Sequence, residues 1–456
     1  MLTNNYYKSD WNVFLKIKLY MLNKFRNSKF YEKLHSIFQN SFFYVIWKKI
    51  INQIACFLYW NPSKVLFVIW VTGTTGKTTT VNLIHKMLNE CVAKTLVISG
   101  DSIKIGDEIV KNKKLFNLNS FDIQAILASA VASWCKLAVI EVHWTWLERL
   151  LFEPIEFNMW VLTNLTQDHI VEDKFFHDYI KNKEKLFKYI LKNNKVNKFV
   201  VMPKDDKVWR KRFDEMPFDK KISYSIINTS MLKAEEIIES WWWTKFKFSY
   251  LNKSYSMNTN LLWSFNVYNT LATIWVWLQI WLHMESIIKN LESFQPWENK
   301  FQTFENNWVY YFIDASGSPD SLDKTLKFLA HIKNKWRLIL LLWWNGWKLI
   351  NKRQTIWLIW QRYADILIVT DDDPWKEDRL QILKQITEKI TMKEWENFFV
   401  IPERKLAIRF AVKIAKPSDI VIFAWKWKQK YIKTNYGKKP WNEKDEILNA
   451  IKNLSI

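Results

Sequence analysis

The sequence predicts an α/β protein: a phosphate-loop domain with a parallel sheet, then a smaller doubly wound domain, behind a short helical N-terminal segment. Three observations carry the prediction. Short aliphatic blocks alternate with helically spaced stretches along most of the 456 residues, as parallel strands with covering helices require. The first strong strand runs into a Gly/Thr-rich turn and then a helix. The alternation restarts after the connector Gln295-Pro296-Trp297.

Residues 1–58 are basic and aromatic, with helical spacing over Trp11–Tyr20 and Phe42–Tyr59, and Asn61-Pro62-Ser63 punctuates them. Residues 59–295 form the second region. There Val65–Val71 reads as a buried strand, Gly73–Thr79 as the turn and Thr79–Glu90 as a helix. Further strands are expected at Thr95–Ser99, Leu137–Val142 and Met159–Thr163. Residues 296–456 form the third region, with strands at Val309–Ile313, Arg337–Leu342, Ile366–Thr370, Phe398–Ile401 and Asp419–Ala424.

With 25% of residues charged and aliphatic blocks throughout, a disordered or low-complexity chain is excluded. No apolar run reaches the roughly 18 residues of a membrane span, and the N-terminus lacks a signal peptide's apolar stretch. Cys56, Cys91 and Cys135 follow no ligand spacing and form no disulfide framework. The expected compartment is the cytoplasm. A net charge of +22, from 67 basic and 45 acidic residues, is compatible with a polyanion partner. Lys, Asn and Ile are abundant everywhere, however, so the excess reads as compositional background and no nucleic-acid partner is expected. Residues 1–58 are either a shortened first domain packed on the core or a segment peripheral to the inner face of a membrane. A monomer is expected.

One count stands apart. Trp occurs 29 times and Gly only 7 times, against an ordinary glycine share of about 7%. Many Trp stand where a chain needs glycine: Trp343-Trp344-Asn345-Gly346-Trp347 and Trp425-Lys426-Trp427 after apolar strands, and Trp297 in the connector. The composition therefore suggests that most Trp here stand for glycine encoded by UGA, a codon that some bacteria read as glycine. Trp441 is left unassigned. A chain carrying Trp at these positions should then show indoles in turns, exposed or crowding the cleft.

Strand, then Gly73-Thr74-Thr75-Gly76-Lys77-Thr78-Thr79, then helix is a phosphate-binding arrangement. Glycines let backbone N–H groups converge on phosphate oxygens, and the helix N-terminus adds its positive dipole end. Lys77 would reach the β/γ-phosphates and the Thr78 hydroxyl would coordinate Mg²⁺. Reading Trp70 as Gly turns the loop into G-x-x-G-x-x-G-K-T.

Further motifs follow: Glu141-Val142 at a strand end, Thr163-Asn164-Leu165-Thr166-Gln167-Asp168-His169, Tyr179 with Lys183-Glu184-Lys185-Leu186-Phe187, and Trp263-Ser264-Phe265-Asn266-Val267-Tyr268-Asn269. Asp314 with Ser318-Pro319-Asp320-Ser321, Lys352-Arg353, Asp372-Asp373-Pro374 and Trp425-Lys426-Trp427 complete the set. Over roughly residues 64–450 these resemble the Mur ligases, ATP-dependent enzymes that add amino acids to peptidoglycan precursors. The resemblance is greatest to the UDP-N-acetylmuramoyl-dipeptide ligases, which add the third residue. Trp70, Trp263, Trp277, Trp297, Trp343, Trp425 and Trp427 fall on family glycines.

The resemblance implies a three-layer P-loop ATPase domain followed by a Rossmann-like domain, with the active site in the cleft between them. It implies ATP and two Mg²⁺ ions, held by Thr78, Glu141 and His169, and a carbamylated lysine at Lys183. Nucleotide contacts fall on Gly73, Thr74, Thr75, Gly76, Lys77, Thr78, Thr79, Asn266, Asn269, Lys300 and Asp314, with the two asparagines beside the adenine. Substrate contacts fall on Arg353, Asp372, Asp373 and Lys426. A substrate carboxylate would attack the γ-phosphate, and an incoming amine would displace phosphate from the acyl phosphate. The acceptor would be a UDP-N-acetylmuramoyl-peptide. Individually, Glu141 also suits a strand-end salt bridge, His169 a surface histidine and Lys183 a solvated charge. The chain departs from the family in several places: the first domain is short, Thr-Thr-Pro has no counterpart around Leu118–Phe121, His143-Trp144 follow Glu141-Val142 where the family has Ser-Ser, Gly317 replaces a His, Lys300 stands for an Arg, and Trp375 and Gln429 replace the residues that would clasp diaminopimelate. The competing functions are a folylpolyglutamate or poly-γ-glutamate type of glutamate ligase and a non-catalytic ATP- or polyanion-binding module.

Overall fold

The computed structural model describes residues 42–73, 75–100, 102–111, 118–143, 146, 150–151, 154–163, 198–205, 218, 220–240, 243–294, 301–314, 319–333, 335–344, 360–371, 378–424, 431–434 and 437–453. The helix expected at Trp11–Tyr20 lies outside them, as do Thr74, His169, Lys183, Lys300, Arg353, Asp372, Asp373 and Lys426.

The first described element is helix α1 (Phe42–Leu58). Strand β1 (Phe67–Thr72) runs through the phosphate loop into α2 (Lys77–Cys91), followed by β2 (Thr95–Ile98), β3 (Ile103–Ile105) and β4 (Glu108–Lys111). Helix α3 (Ser120–Ala132) begins at a reciprocal cap: the Asn119 side chain accepts from the N–H of Asp122, whose carboxylate accepts from the N–H of Asn119. Then come β5 (Leu137–Glu141), β6 (Met159–Leu162), β7 (Phe199–Pro203), β8 (Lys220–Ser225), β9 (Leu232–Glu239), β10 (Thr244–Tyr250) and β11 (Lys253–Thr259). Helices α4 (Ser264–Gln279) and α5 (Met284–Glu292) follow.

These strands form one sheet in the order β11-β10-β9-β8-β7-β6-β1-β5-β2-β3-β4. Pairs β2/β5, β6/β7, β7/β8 and β8/β9 are parallel. Strands β2, β5, β6 and β7 are buried along their whole length, as near-continuous aliphatic runs covered on both faces should be. Both flanks are antiparallel, which the strand-and-helix alternation did not foretell: β3 and β4 at one edge, β10 and β11 at the other. The β10–β11 hairpin turns on Leu251 and Asn252, both at positive φ (48° and 61°).

The second sheet collects β12 (Phe301–Asn306), β13 (Val309–Asp314), β14 (Leu338–Trp344), β15 (Ile366–Asp371), β16 (Phe398–Val400) and β17 (Ile420–Ala424), in the order β12-β13-β17-β14-β15-β16. All its pairs are parallel except β12/β13. Helices α6 (Pro319–Ile332), α7 (Arg379–Thr387) and α8 (Arg404–Ile414) alternate with the strands; the hairpin β18 (Tyr431–Thr434) and β19 (Gly437–Pro440) precedes α9 (Glu443–Lys452). Alternation along β14 sorts the two faces. Leu338, Leu340 and Leu342 pack with Leu326, Leu329 and Ile382, whereas Ile339 and Leu341 pack with Ala407, Ile408 and Ile447. Two cores on opposite faces make the sheet doubly wound.

The chain divides into two compact units, residues 1–70, 88–158 and 182–198 in one and residues 71–87, 159–181 and 199–456 in the other. Among the described residues no helix is long and apolar enough to cross a membrane.

Candidate functional site

The phosphate loop leaves the C-terminal end of β1, and its helix starts at Lys77. Strands β5 and β6 flank β1 in the sheet while the chain reaches them by different routes. Such a reversal of strand order is where open α/β sheets bind ligands. The Thr80 N–H closes the first helical turn on the Gly76 carbonyl (2.9 Å), and the Lys77 ammonium donates to the Gly73 carbonyl (2.9 Å). Asn82 Nδ2 donates to the Thr78 carbonyl (2.9 Å).

Two side chains from distant sequence hold the loop. Thr163, directly after β6, donates its N–H to the Thr72 carbonyl (2.9 Å) and its hydroxyl to the Thr75 carbonyl (2.6 Å). The Tyr224 hydroxyl in turn donates to the carbonyls of Leu162 (2.6 Å) and Thr163 (3.1 Å). The second is Asn269, fully buried on α4. Its Oδ1 accepts from the Thr80 hydroxyl (3.2 Å), and its Nδ2 donates to Asn266 Oδ1 (2.8 Å). Asn266 Nδ2 donates to the Leu262 carbonyl (2.6 Å). Gly76 has a φ of +81°, and a Cβ built there would lie 2.8 Å from Asn269 Nδ2 and 2.9 Å from its Cγ. Only glycine suits both the backbone and the approach. The described contacts of Asn269 are thus with Gly76, Thr80 and Asn266.

Helix α4 is held at its other face by Tyr268, whose hydroxyl donates to Asp205 Oδ2 (2.7 Å). Asp205 also accepts from the N–H groups of Ile226 (2.8 Å) and Asn228 (3.0 Å) and from the Ser225 hydroxyl. Burial alone would raise the Asp205 pKa, but these donors outweigh it and hold the carboxyl below its usual range. Burial and the adjacent carboxylate push the Tyr268 hydroxyl far up.

Glu141 is the last residue of β5 and is buried, with Oε2 accepting from the Gly100 N–H (2.7 Å). Asp314 ends β13 in the second sheet and is also buried. The structure therefore brings Gly73, Thr75, Gly76, Lys77, Thr78, Thr79, Asn266 and Asn269 together, and sets Glu141 and Asp314 at the C-terminal ends of their strands. Sequence reading missed Thr163, Tyr224 and Asp205 as supports. Thr163 heads the T-N-L motif, a usable signal; Tyr224 and Asp205 carried none.

Thr78 and Glu141 each carry a hard oxygen donor of the kind Mg²⁺ prefers. Among the described residues there is no group of three or more His, Cys, Asp or Glu that could hold a metal.

Two family models match: the Mur ligase middle domain over residues 71–277 and the Mur ligase glutamate ligase domain over residues 300–424. The UDP-N-acetylmuramoyl-L-alanyl-D-glutamate–2,6-diaminopimelate ligase 1 of Clostridium acetobutylicum is 28% identical over 412 residues, covering 89% of this chain and 82% of that protein. A solved structure of a ligase with the same substrate name superposes with a TM-score of 0.63 at 23% identity, covering 86% of this chain and 79% of that one. The MurF ligase of Thermotoga maritima, solved in complex with ADP, superposes with a TM-score of 0.60 at 14% identity, covering 88% and 83%. Phosphate loop, T-N-L threonine and asparagine-bearing helix thus occur in one chain with both matched domains, and this protein belongs to the Mur ligase family.

Proposed function

We propose that this chain is an ATP-dependent, ADP-forming ligase that joins an amino acid to the peptide carboxylate of a UDP-N-acetylmuramoyl-peptide. The observation that carries this reading is the phosphate loop, braced by Thr163 on one side and by Asn269 on the other. Its backbone N–H groups and the start of α2 favour an anionic triphosphate. Lys77, released from the Gly73 carbonyl, would neutralise the β/γ oxygens while the acceptor carboxylate attacks the γ-phosphate. Phosphoryl transfer of this kind needs positioning and charge neutralisation more than covalent help. Thr78 and Glu141 would hold one Mg²⁺ and His169 a second, with a carbamate on Lys183 in support; bound there, the ions screen the repulsion between phosphate and carboxylate. An incoming amine then displaces phosphate and leaves an amide. The test is a panel of amino acids, diaminopimelate included, offered with UDP-N-acetylmuramoyl-dipeptide while ADP is measured. ADP release that depends on one amino acid is expected; nucleotide binding with no such turnover refutes the reading.

Residues 1–58 add a membrane-facing element to this reading. They hold nine basic and two acidic residues. Helix α1 buries Asn52, Ala55 and Cys56 but exposes Ile46, Trp47, Ile50, Ile54 and Phe57 at helical spacing. An apolar stripe within a cationic segment matches an anionic bilayer surface. Full-length protein should co-sediment with phosphatidylglycerol vesicles and not with phosphatidylcholine vesicles, and Ile50→Asp with Ile54→Asp should abolish this. Equal sedimentation of variant and parent counts against the contact.

A further inference from the structure

We infer that the functional polypeptide carries glycine at Trp60, Trp134, Trp263, Trp281, Trp308 and Trp395. Thirteen described non-glycine residues have positive φ, and these six tryptophans are among them, at φ between 61° and 79°. A side chain with a Cβ rarely occupies that region, and a bulky one there is a genuine outlier.

The hydrogen bonds show which turns these are. Helix α3 is followed by Trp134, whose N–H donates to the Val131 carbonyl (3.0 Å), while the Cys135 N–H donates to that of Ala130 (2.9 Å). Helix α4 ends the same way, Trp281 to Leu278 (3.2 Å) and Leu282 to Trp277 (3.2 Å). So does α1, Trp60 to Phe57 (3.1 Å) and Asn61 to Cys56 (3.0 Å). All three are Schellman motifs with Trp at the left-handed position that glycine normally fills. Between β12 and β13, Asn306 pairs with Val309, so Asn307 (φ 51°) and Trp308 (φ 62°) form a two-residue hairpin loop. That geometry selects Asn-Gly. Trp263 stands at φ 79° and ψ 142° before α4, near a region essentially reserved for glycine.

Trp263 is buried, but at the other five no burial offsets the strain. Trp60, Trp134, Trp281, Trp308 and Trp395 are 70–90% exposed. The opposite fault occurs inside α4, where Trp275 and Trp277 are buried with indole N–H groups that have no hydrogen-bond acceptor. Trp441 behaves as a tryptophan should: its φ is not positive and its indole donates to Glu443 Oε2 (2.7 Å). The consequence reaches the nucleotide site through Trp263, since the helix it opens carries Asn269 onto Gly76.

The decisive experiment is peptide mass mapping of the protein isolated from cells that express their own gene. Glycine at 134, 281, 308 and 395 is expected; tryptophan at these positions overturns the inference. Full-length recombinant chains give a second readout. Trp134→Gly, Trp281→Gly and Trp308→Gly should each raise Tm by a few degrees, and Trp441→Gly should lower it. Unchanged or lower Tm for the first three also overturns it.

Discussion

Replacing Gly76 with alanine tests the packing of the phosphate loop directly. The residue sits at φ +81°, a conformation that costs a residue with a Cβ about 1–2 kcal/mol. The new methyl would lie 2.8–2.9 Å from Asn269 Nδ2 and Cγ, so Asn269 must move. Its displacement breaks the bonds from Thr80 (3.2 Å) and to Asn266 (2.8 Å), worth about 1 kcal/mol each. The expected total is about 3 kcal/mol, measurable by denaturant unfolding, with ATP affinity falling alongside because the loop's N–H groups are re-aimed. The double variant isolates the cause. Once Asn269→Ala has removed the obstacle, Gly76→Ala should cost only the backbone strain, leaving a coupling of about 2 kcal/mol between the two sites. Equal cost in both backgrounds would show that Asn269 is not what keeps this position glycine.

Three further outcomes follow from the same structure. Lys77→Ala should abolish amino-acid-dependent ADP release while leaving Tm almost unchanged, and near-normal turnover would remove Lys77 from its assigned role. Asp205 holds its proton less tightly folded than unfolded, so its stabilisation is complete above the ordinary carboxylate pKa, near 4, and is lost as pH falls through the lower folded value. Asp205→Asn should lower Tm at neutral pH and flatten the acid limb of a Tm–pH curve; an unaltered acid limb would contradict this. The ion pair of Arg404 with Glu443 is buried on both sides, with Nε to Oε2 at 2.9 Å. Glu443→Leu should cost about 3–5 kcal/mol in unfolding free energy, and Arg404→Met added to it should recover much of the loss. A cost below about 1 kcal/mol, or no recovery, would refute the pairing argument.

The centre of each sheet was legible because β2, β5, β6 and β14 are aliphatic runs long enough to be strands and flanked by turn residues. The antiparallel edges were not. Strands β9 and β10 mix Lys, Glu and Phe in short alternation, and their pairing depends on partners that periodicity does not name. The loop itself was legible down to single residues, since Gly76, Lys77 and Thr78 act through local geometry. Its supports were less so: Thr163 lies 88 residues from the carbonyl it caps and Asn269 189 residues from Thr80. Contacts of that range follow from topology, not from spacing.

The tryptophan count shows how composition and geometry constrain each other. Composition alone says that glycine is scarce and tryptophan abundant; it cannot say which indoles are foreign to the fold. Backbone angles can. Among the described residues, those at positive φ comprise four glycines, six tryptophans, three asparagines and four others. With the tryptophans taken as written, the residue with the largest side chain is the commonest occupant of a region that Cβ sterics close. Taken as glycine, they give ten glycines and three asparagines, the residues for which that region is open. Helix ends and hairpin loops of this kind are set by hydrogen bonds that the flanking elements impose, so the turns persist whichever residue occupies them. The strain therefore falls on the occupant, and a chain carrying indoles there would unfold more readily than its own topology requires.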